Sequence, residues 1–90
     1  MSDTPNEPLL SFPCPFPIKA MGKNSNEFEI AVLSIIRKHS PDIEESAIKT
    51  RESKGGKYLA ITITVNAQSQ SQLDQIYTEL SSHELVTMAL

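Results

Sequence analysis

The stretch YLAITITVNA, residues 58–67, alternates two kinds of side chain along its whole length. One row is apolar, and the other is mostly small or polar. Because successive side chains of a β-strand point to opposite faces, this period of two indicates a strand with one buried and one solvated face. The stretch therefore predicts a sheet that carries its core on one side. The apolar row consists of Leu59, Ile61, Ile63, Val65 and Ala67.

Two other segments carry the three-to-four-residue spacing of amphipathic helices. The first runs from about Asn26 to His39 and the second from about Ser71 to Leu80. The first has acidic residues in its first turn and basic residues in its last, which suits the helix dipole. Both have polar side chains placed to cap their N-termini. The candidate caps are Ser25 or Asn24 for the first helix, and Ser69 with Gln72 or Ser71 with Asp74 for the second.

Three more strands complete the order strand, helix, strand, strand, helix, strand. They are predicted at Phe16–Met21, Ala47–Glu52 and Leu85–Leu90, with a Gly55-Gly56 hairpin before the alternating strand. This order predicts an α+β fold, a two-layer βαββαβ ferredoxin-like sandwich. Its antiparallel four-stranded sheet has the order 4-1-3-2, with both helices on one face. The side chains predicted to point inward from the last strand are Val86, Met88 and Leu90.

We predict that residues 1–15 form a proline-rich arm, partly disordered, and that residues 16–90 form the domain. Leu9, Leu10 and Phe12 are apolar enough to pack against that domain. The last strand is an apolar edge that needs cover, either from this arm or from a second chain. We favour a monomer with the arm as partial cover over a homodimer.

Charge and composition exclude several functions. The chain has 90 residues, a net charge of −3 and a pI of about 5.2, which argues against binding nucleic acid or an anionic membrane. A single cysteine forms no internal disulfide, and no apolar run approaches the roughly 18 residues of a spanning helix. The polar N-terminus does not resemble a secretory signal, so we predict a cytoplasmic protein.

No set of residues predicts catalysis, a metal site or a cofactor. Cys14, His39 and His83 are isolated from one another in the sequence, and the acidic turn at residues 42–45 lacks the spacing of a calcium loop. The loop after the first strand lacks the arginine of an acylphosphatase-like enzyme. Tyr58 alone is a poor platform for stacking RNA bases. We therefore predict that the protein is not an enzyme.

Half of the basic residues lie within nine positions, on the second strand and the hairpin that follows it. Such a patch on an acidic protein attracts an acidic partner. The alternative interpretation is a charged edge strand with a solvated loop. The candidate partner-binding residues are Lys49, Arg51, Lys54, Lys57 and Tyr58.

The opening LLSFPCPF, residues 9–16, resembles the start of the YbeD-like family of small bacterial proteins. Further similarities are His39 with Pro41, residues 53–55, residues 61–63 with 66–67, and Val86, Met88 and Leu90 at the end. The resemblance implies a βαββαβ fold similar to ACT-type regulatory domains, but no activity. In ACT domains a glycine-containing loop after the first strand often lines an amino-acid site. The matching positions are Gly22, Lys23 and Asn24, although Gly22 also suits a simple turn.

Two functions follow as hypotheses. The first is a non-enzymatic regulatory or protein-interaction domain that binds a protein partner, through the basic patch or the polar face of the sheet. The alternative is an ACT-like sensor that binds an amino acid or a related metabolite through residues 22–24.

Overall fold

The computed structural model describes residues 11–90 and contains the predicted order of elements. The antiparallel sheet has the order β2-β3-β1-β4, which is the predicted 4-1-3-2 arrangement read from the opposite edge. A short 3₁₀ turn at Glu45–Ala47 precedes β2. The elements are β1 (Cys14–Lys23), α1 (Asn26–His39), β2 (Ile48–Glu52), β3 (Tyr58–Ala67), α2 (Gln70–Ser82) and β4 (Met88–Ala89).

The core lies between one face of the sheet and the two helices. Ile18 and Ala20 of β1 stand opposite Ile63 and Ile61 of β3, and all four are fully buried. Both helices cover this face with side chains at helical spacing, as predicted. These are Phe28, Val32 and Ile36 of α1 and Leu73, Ile76 and Leu80 of α2.

The helix N-termini settle both of the capping alternatives. Ser25 Oγ accepts a hydrogen bond from the Phe28 backbone N–H at 3.1 Å, and Ser69 Oγ accepts one from the Gln72 N–H at 3.0 Å. Each serine thus satisfies a backbone donor that the first turn leaves free. Asn24 is not the cap of α1.

β1 is longer than predicted at both ends and includes two prolines. Lys19 exchanges backbone hydrogen bonds with Leu90 at 3.0 and 2.7 Å, so the backbone groups of odd-numbered β1 residues point toward β4. β4 pairs only with Ala20 and Met21. The backbone nitrogens of Pro15 and Pro17, which carry no hydrogen, therefore face a side of β1 where no strand of residues 11–90 needs a donor.

β4 differs from its prediction. The chain bends at Thr87, and the paired strand contains only Met88 and Ala89. Val86 is buried as predicted, but Met88 and Leu90 are 47% and 59% exposed. The prediction that these two point inward is wrong, because the bend shifts the alternation by one residue and turns Ala89 toward the core.

The first described residues contact the domain. Phe12 packs against the core, as predicted, while Leu9 and Leu10 lie outside the described residues. For the same reason, the division into an arm at 1–15 and a domain at 16–90 stays a prediction. Within residues 11–90, neither helix has the length and apolar content to cross a membrane.

Candidate functional site

The face of the sheet opposite the helices is left uncovered by them, and we call it the open face. At one end of it, the turn at residues 42–47 lies beside Thr64 and Asn66. The alternation that buries one row of each strand places the other row here. It contains residues from all four strands. They are Pro15, Pro17, Lys19, Met21 and Lys23 of β1, Lys49 and Arg51 of β2, the even-numbered residues 58–66 of β3, and Met88 of β4.

Cations from two non-adjacent strands meet across the open face. Thr62 of β3 stands between Lys19 of β1 and Lys49 of β2 in the strand register. Ala60 likewise stands between Met21 and Arg51. The outward rows of the four strands contribute no Asp or Glu to the open face, although Asp42 and Glu44 border it beside Thr64 and Asn66. Within residues 11–90 none of the open-face cations forms an ion pair. It is therefore positively charged on a protein whose net charge is −3.

The hairpin between β2 and β3 extends the positive charge beyond the sheet. Gly55 and Gly56 have φ of 88° and 74°, values that residues other than glycine rarely adopt. Lys57 Nζ lies 5.6 Å from the centre of the Tyr58 ring, within range of a cation–π contact. Asn24 fastens the hairpin to the end of β1, because its N–H and its side-chain amide donate to the carbonyls of Lys57 and Gly56, each at 3.0 Å.

The structure divides the predicted partner-binding residues between two places. Lys49, Arg51 and Tyr58 lie on the open face, and Lys54 and Lys57 lie on the adjoining hairpin. That they bind a partner stays a prediction.

Sequence reasoning did not include Lys19 among the candidate site residues and gave Lys23 a different role. Both alternate with buried residues of β1. The pattern of that strand puts Lys19 on its outward side, and the same alternation extends to Lys23. Their position across β3 from the residues of β2 depends on the strand register, which the alternation within one strand does not provide.

The predicted ligand loop at residues 22–24 is closely packed. Gly22 is buried, and a Cβ added there would lie 2.4 Å from the Leu85 carbonyl oxygen and 2.6 Å from the Phe28 ring. Lys23 lies on the open face, and Asn24 holds the hairpin. Glycine is required here by close packing, and its φ is not positive. That residues 22–24 bind a ligand stays a prediction.

The two histidines make structural contacts. His39 Nε2 lies 2.6 Å from Glu79 Oε2, and Lys38 Nζ lies 2.5 Å from Glu79 Oε1, so α1 and α2 are joined at one end. Gln72 adds a hydrogen bond to the His39 carbonyl at 2.7 Å. Hydrogen bonds from Lys38, and then from His39, lower the pKa of Glu79.

The second histidine, His83, accepts a hydrogen bond from the Leu85 N–H at 3.1 Å through Nδ1. Cys14 is half-buried with a free thiol. Residues 11–90 contain no group of three or more His, Cys, Asp or Glu side chains arranged to hold a metal ion.

The fold and the open face together define a class of protein, a small two-layer α+β sandwich that leaves one side of its sheet uncovered. The solution structure of protein HP0495 from H. pylori has this fold. It superimposes with a TM-score of 0.71 at 14% sequence identity, covering 100% of this chain and 94% of that one.

The chain belongs to the family described as "Protein of unknown function (DUF493)", which matches residues 7–90, and the YbeD-like resemblance is confirmed. It is 46% identical to a UPF0250 protein of Chromobacterium violaceum over 90 residues, covering 100% of both chains. It is 49% identical to a UPF0250 protein of Neisseria gonorrhoeae over 82 residues, covering 91% of this chain and 90% of that one. The family carries no established activity.

Proposed function

We propose that the protein is a non-enzymatic interaction domain that binds an acidic protein partner through the open face. The observation that supports this proposal is the segregation of charge. Of the eight Lys and Arg residues, four lie on the open face and two on the adjoining hairpin. Of the nine Asp and Glu residues in 11–90, eight lie on the helices or their connecting turns.

This arrangement orients a partner before contact. A negative surface is attracted to the open face and repelled by the helices, so an encounter that begins at random is turned toward the sheet. This attraction requires cations that are not already paired with acidic groups of the protein. Within the described structure, the open-face cations form no ion pair. Association should therefore slow as salt increases.

The non-enzymatic and regulatory character of the domain is part of the proposal. His39 and His83 are engaged in holding the fold, which leaves charge and shape as the means by which the open face acts. The cytoplasm is the compartment that we propose for the protein. Cell fractionation tests this location.

Charge reversal on the two sides of the domain tests the proposal. Lys19→Glu and Arg51→Glu change the open face, and Arg37→Glu makes the same change in net charge on the exposed side of α1. The immobilised protein is incubated with nuclease-treated cell extract. We expect capture of one acidic protein that both open-face variants lose and Arg37→Glu retains. Equal capture by all three variants would contradict the proposal.

The ACT-like sensor is the alternative proposal and has less support, because Phe28 and the Leu85 carbonyl fill the space beside Gly22. Titration with amino acids, followed by NMR, tests it directly. Chemical-shift changes confined to residues 22–26 would favour the sensor. Unchanged chemical shifts at residues 22–26 would contradict the sensor proposal.

A further inference from the structure

One place on the open face is shaped to receive an apolar side chain. Ala60 is the floor of a depression of about 210 Å³, because its methyl group stands between the longer side chains of Met21 and Arg51. Tyr58, two residues along β3, forms a further wall. The exposed surface of the depression is almost entirely apolar, and Glu52, Ser53 and Leu59 complete its lining. We call this feature the Ala60 depression. Cavities of about 150 Å³ already accept benzene, so this volume is sufficient for a leucine or phenylalanine side chain.

A second depression adjoins the first and is more polar. Lys19, Lys49 and Arg51 surround Thr62 there, and the two depressions share Arg51 and Ala60. Ala60 and Thr62 lie two residues apart on one side of β3, which is about 7 Å at the rise of a strand. An apolar depression and a group of three cations are therefore neighbours.

We infer that the Ala60 depression receives an apolar side chain from an acidic segment of the partner, while Lys19, Lys49 and Arg51 hold a carboxylate next to it. This inference rests on the proposed function and specifies which chemistry the partner presents. A side chain buried against Met21 and Tyr58 supplies affinity through removal of apolar surface from water. The cations supply register and rate of association.

The shape of the two depressions favours a protein segment over a small metabolite. Pockets for small molecules enclose most of the ligand surface. Both depressions here are only partly enclosed, and a peptide that crosses the sheet covers both at once. The spacing of about 7 Å matches side chains two apart in an extended segment, or four apart on a helix.

Designed peptides test the inference without knowledge of the natural partner. The probes are two 12-residue glutamate-rich peptides that differ at one central position, leucine in one and alanine in the other. Each is titrated into the full chain at low salt and followed by NMR. We expect the leucine peptide to bind about tenfold more tightly and to shift Met21, Tyr58 and Ala60.

Filling the depression provides the matching protein variant. Ala60→Leu places an outward-facing side chain in the space, and Thr64→Leu makes an equally apolar change further along the same row of β3. We expect Ala60→Leu to reduce the affinity for the leucine peptide about tenfold, to that of the alanine peptide. Thr64→Leu should leave the preference for leucine intact. Thermal unfolding of both variants checks that the fold is retained.

The outcomes separate this inference from the proposed function. Equal affinity for both peptides, or no binding of either, overturns the Ala60 depression as an anchor site. A preference for leucine that survives Ala60→Leu also overturns it. Capture from extract, with the charge-reversal variants, decides the proposed function independently. A small acid that shifts the same residues as strongly as the leucine peptide would overturn the choice of a protein segment.

Discussion

The two faces of one sheet show how differently neighbouring residues are constrained. Ile61 and Ile63 of β3 are fully buried beneath the helices, while Thr62 between them stands among the cations of the open face. On the covered face the shape of each side chain is fixed by its neighbours. On the open face, side chains can differ in charge and size without disturbing the packed core. This face is therefore free to serve recognition.

The largest expected effect comes from removing a buried side chain. Ile61→Ala deletes fully buried methyl and methylene groups and leaves a cavity, so we expect unfolding to require about 3–4 kcal/mol less free energy. Thr62→Ala should cost no more than about 1 kcal/mol. Urea denaturation measures both. Similar losses would mean that the two faces do not differ in constraint.

Gly22 tests how tightly the covered face is packed near the end of β1. Gly22→Ala forces the new Cβ against the Leu85 carbonyl oxygen and the Phe28 ring, so we expect a loss of about 1–3 kcal/mol. The adjacent Lys23→Ala, on the open face, should change stability by less than about 0.5 kcal/mol. A stable Gly22→Ala variant would show that the space beside this glycine can open. That result would support ligand binding by residues 22–24.

The smallest expected effect concerns the ion pairs that join the helices on the covered side. Because Lys38 and His39 lower the pKa of Glu79, the carboxylate stabilises the fold above its ordinary value of 4.5, and this contribution is lost as pH falls through the lowered pKa. Glu79→Gln should therefore reduce the loss of stability on acidification below pH 4.5. Denaturation midpoints measured across that range provide the test.

Glu27→Gln is the matched control for the acid titration. Glu27 lies exposed in the first turn of α1, away from Lys38 and His39. If both variants respond to acid alike, the contacts of Glu79 contribute nothing specific.

Sequence reasoning was most accurate where a local pattern and its boundary coincide. α1 begins and ends as predicted, because Ser25 caps its start and the apolar spacing runs to His39. β3 is also correct at both ends, because its alternation is complete. The prediction for β4 was wrong because nothing in the alternating sequence indicates the bend at Thr87.

The open face was only partly predictable. Lys49 and Arg51 are close in the sequence and were identified as a cluster. Lys19 joins them only through β3, in a register that no local pattern encodes. The Ala60 depression is harder still to predict, since it depends on which long side chains flank one small residue across two strands.

The prolines of β1 have a consequence for behaviour at high concentration. Pro15 and Pro17 leave gaps in the row of donors along the stretch of that strand that no other strand of residues 11–90 pairs with on this side. A foreign strand arriving there finds carbonyls without the matching N–H groups, so it forms an incomplete ladder. Sheet growth from molecule to molecule, the first step toward fibres and insoluble ribbons, is thereby discouraged at this edge.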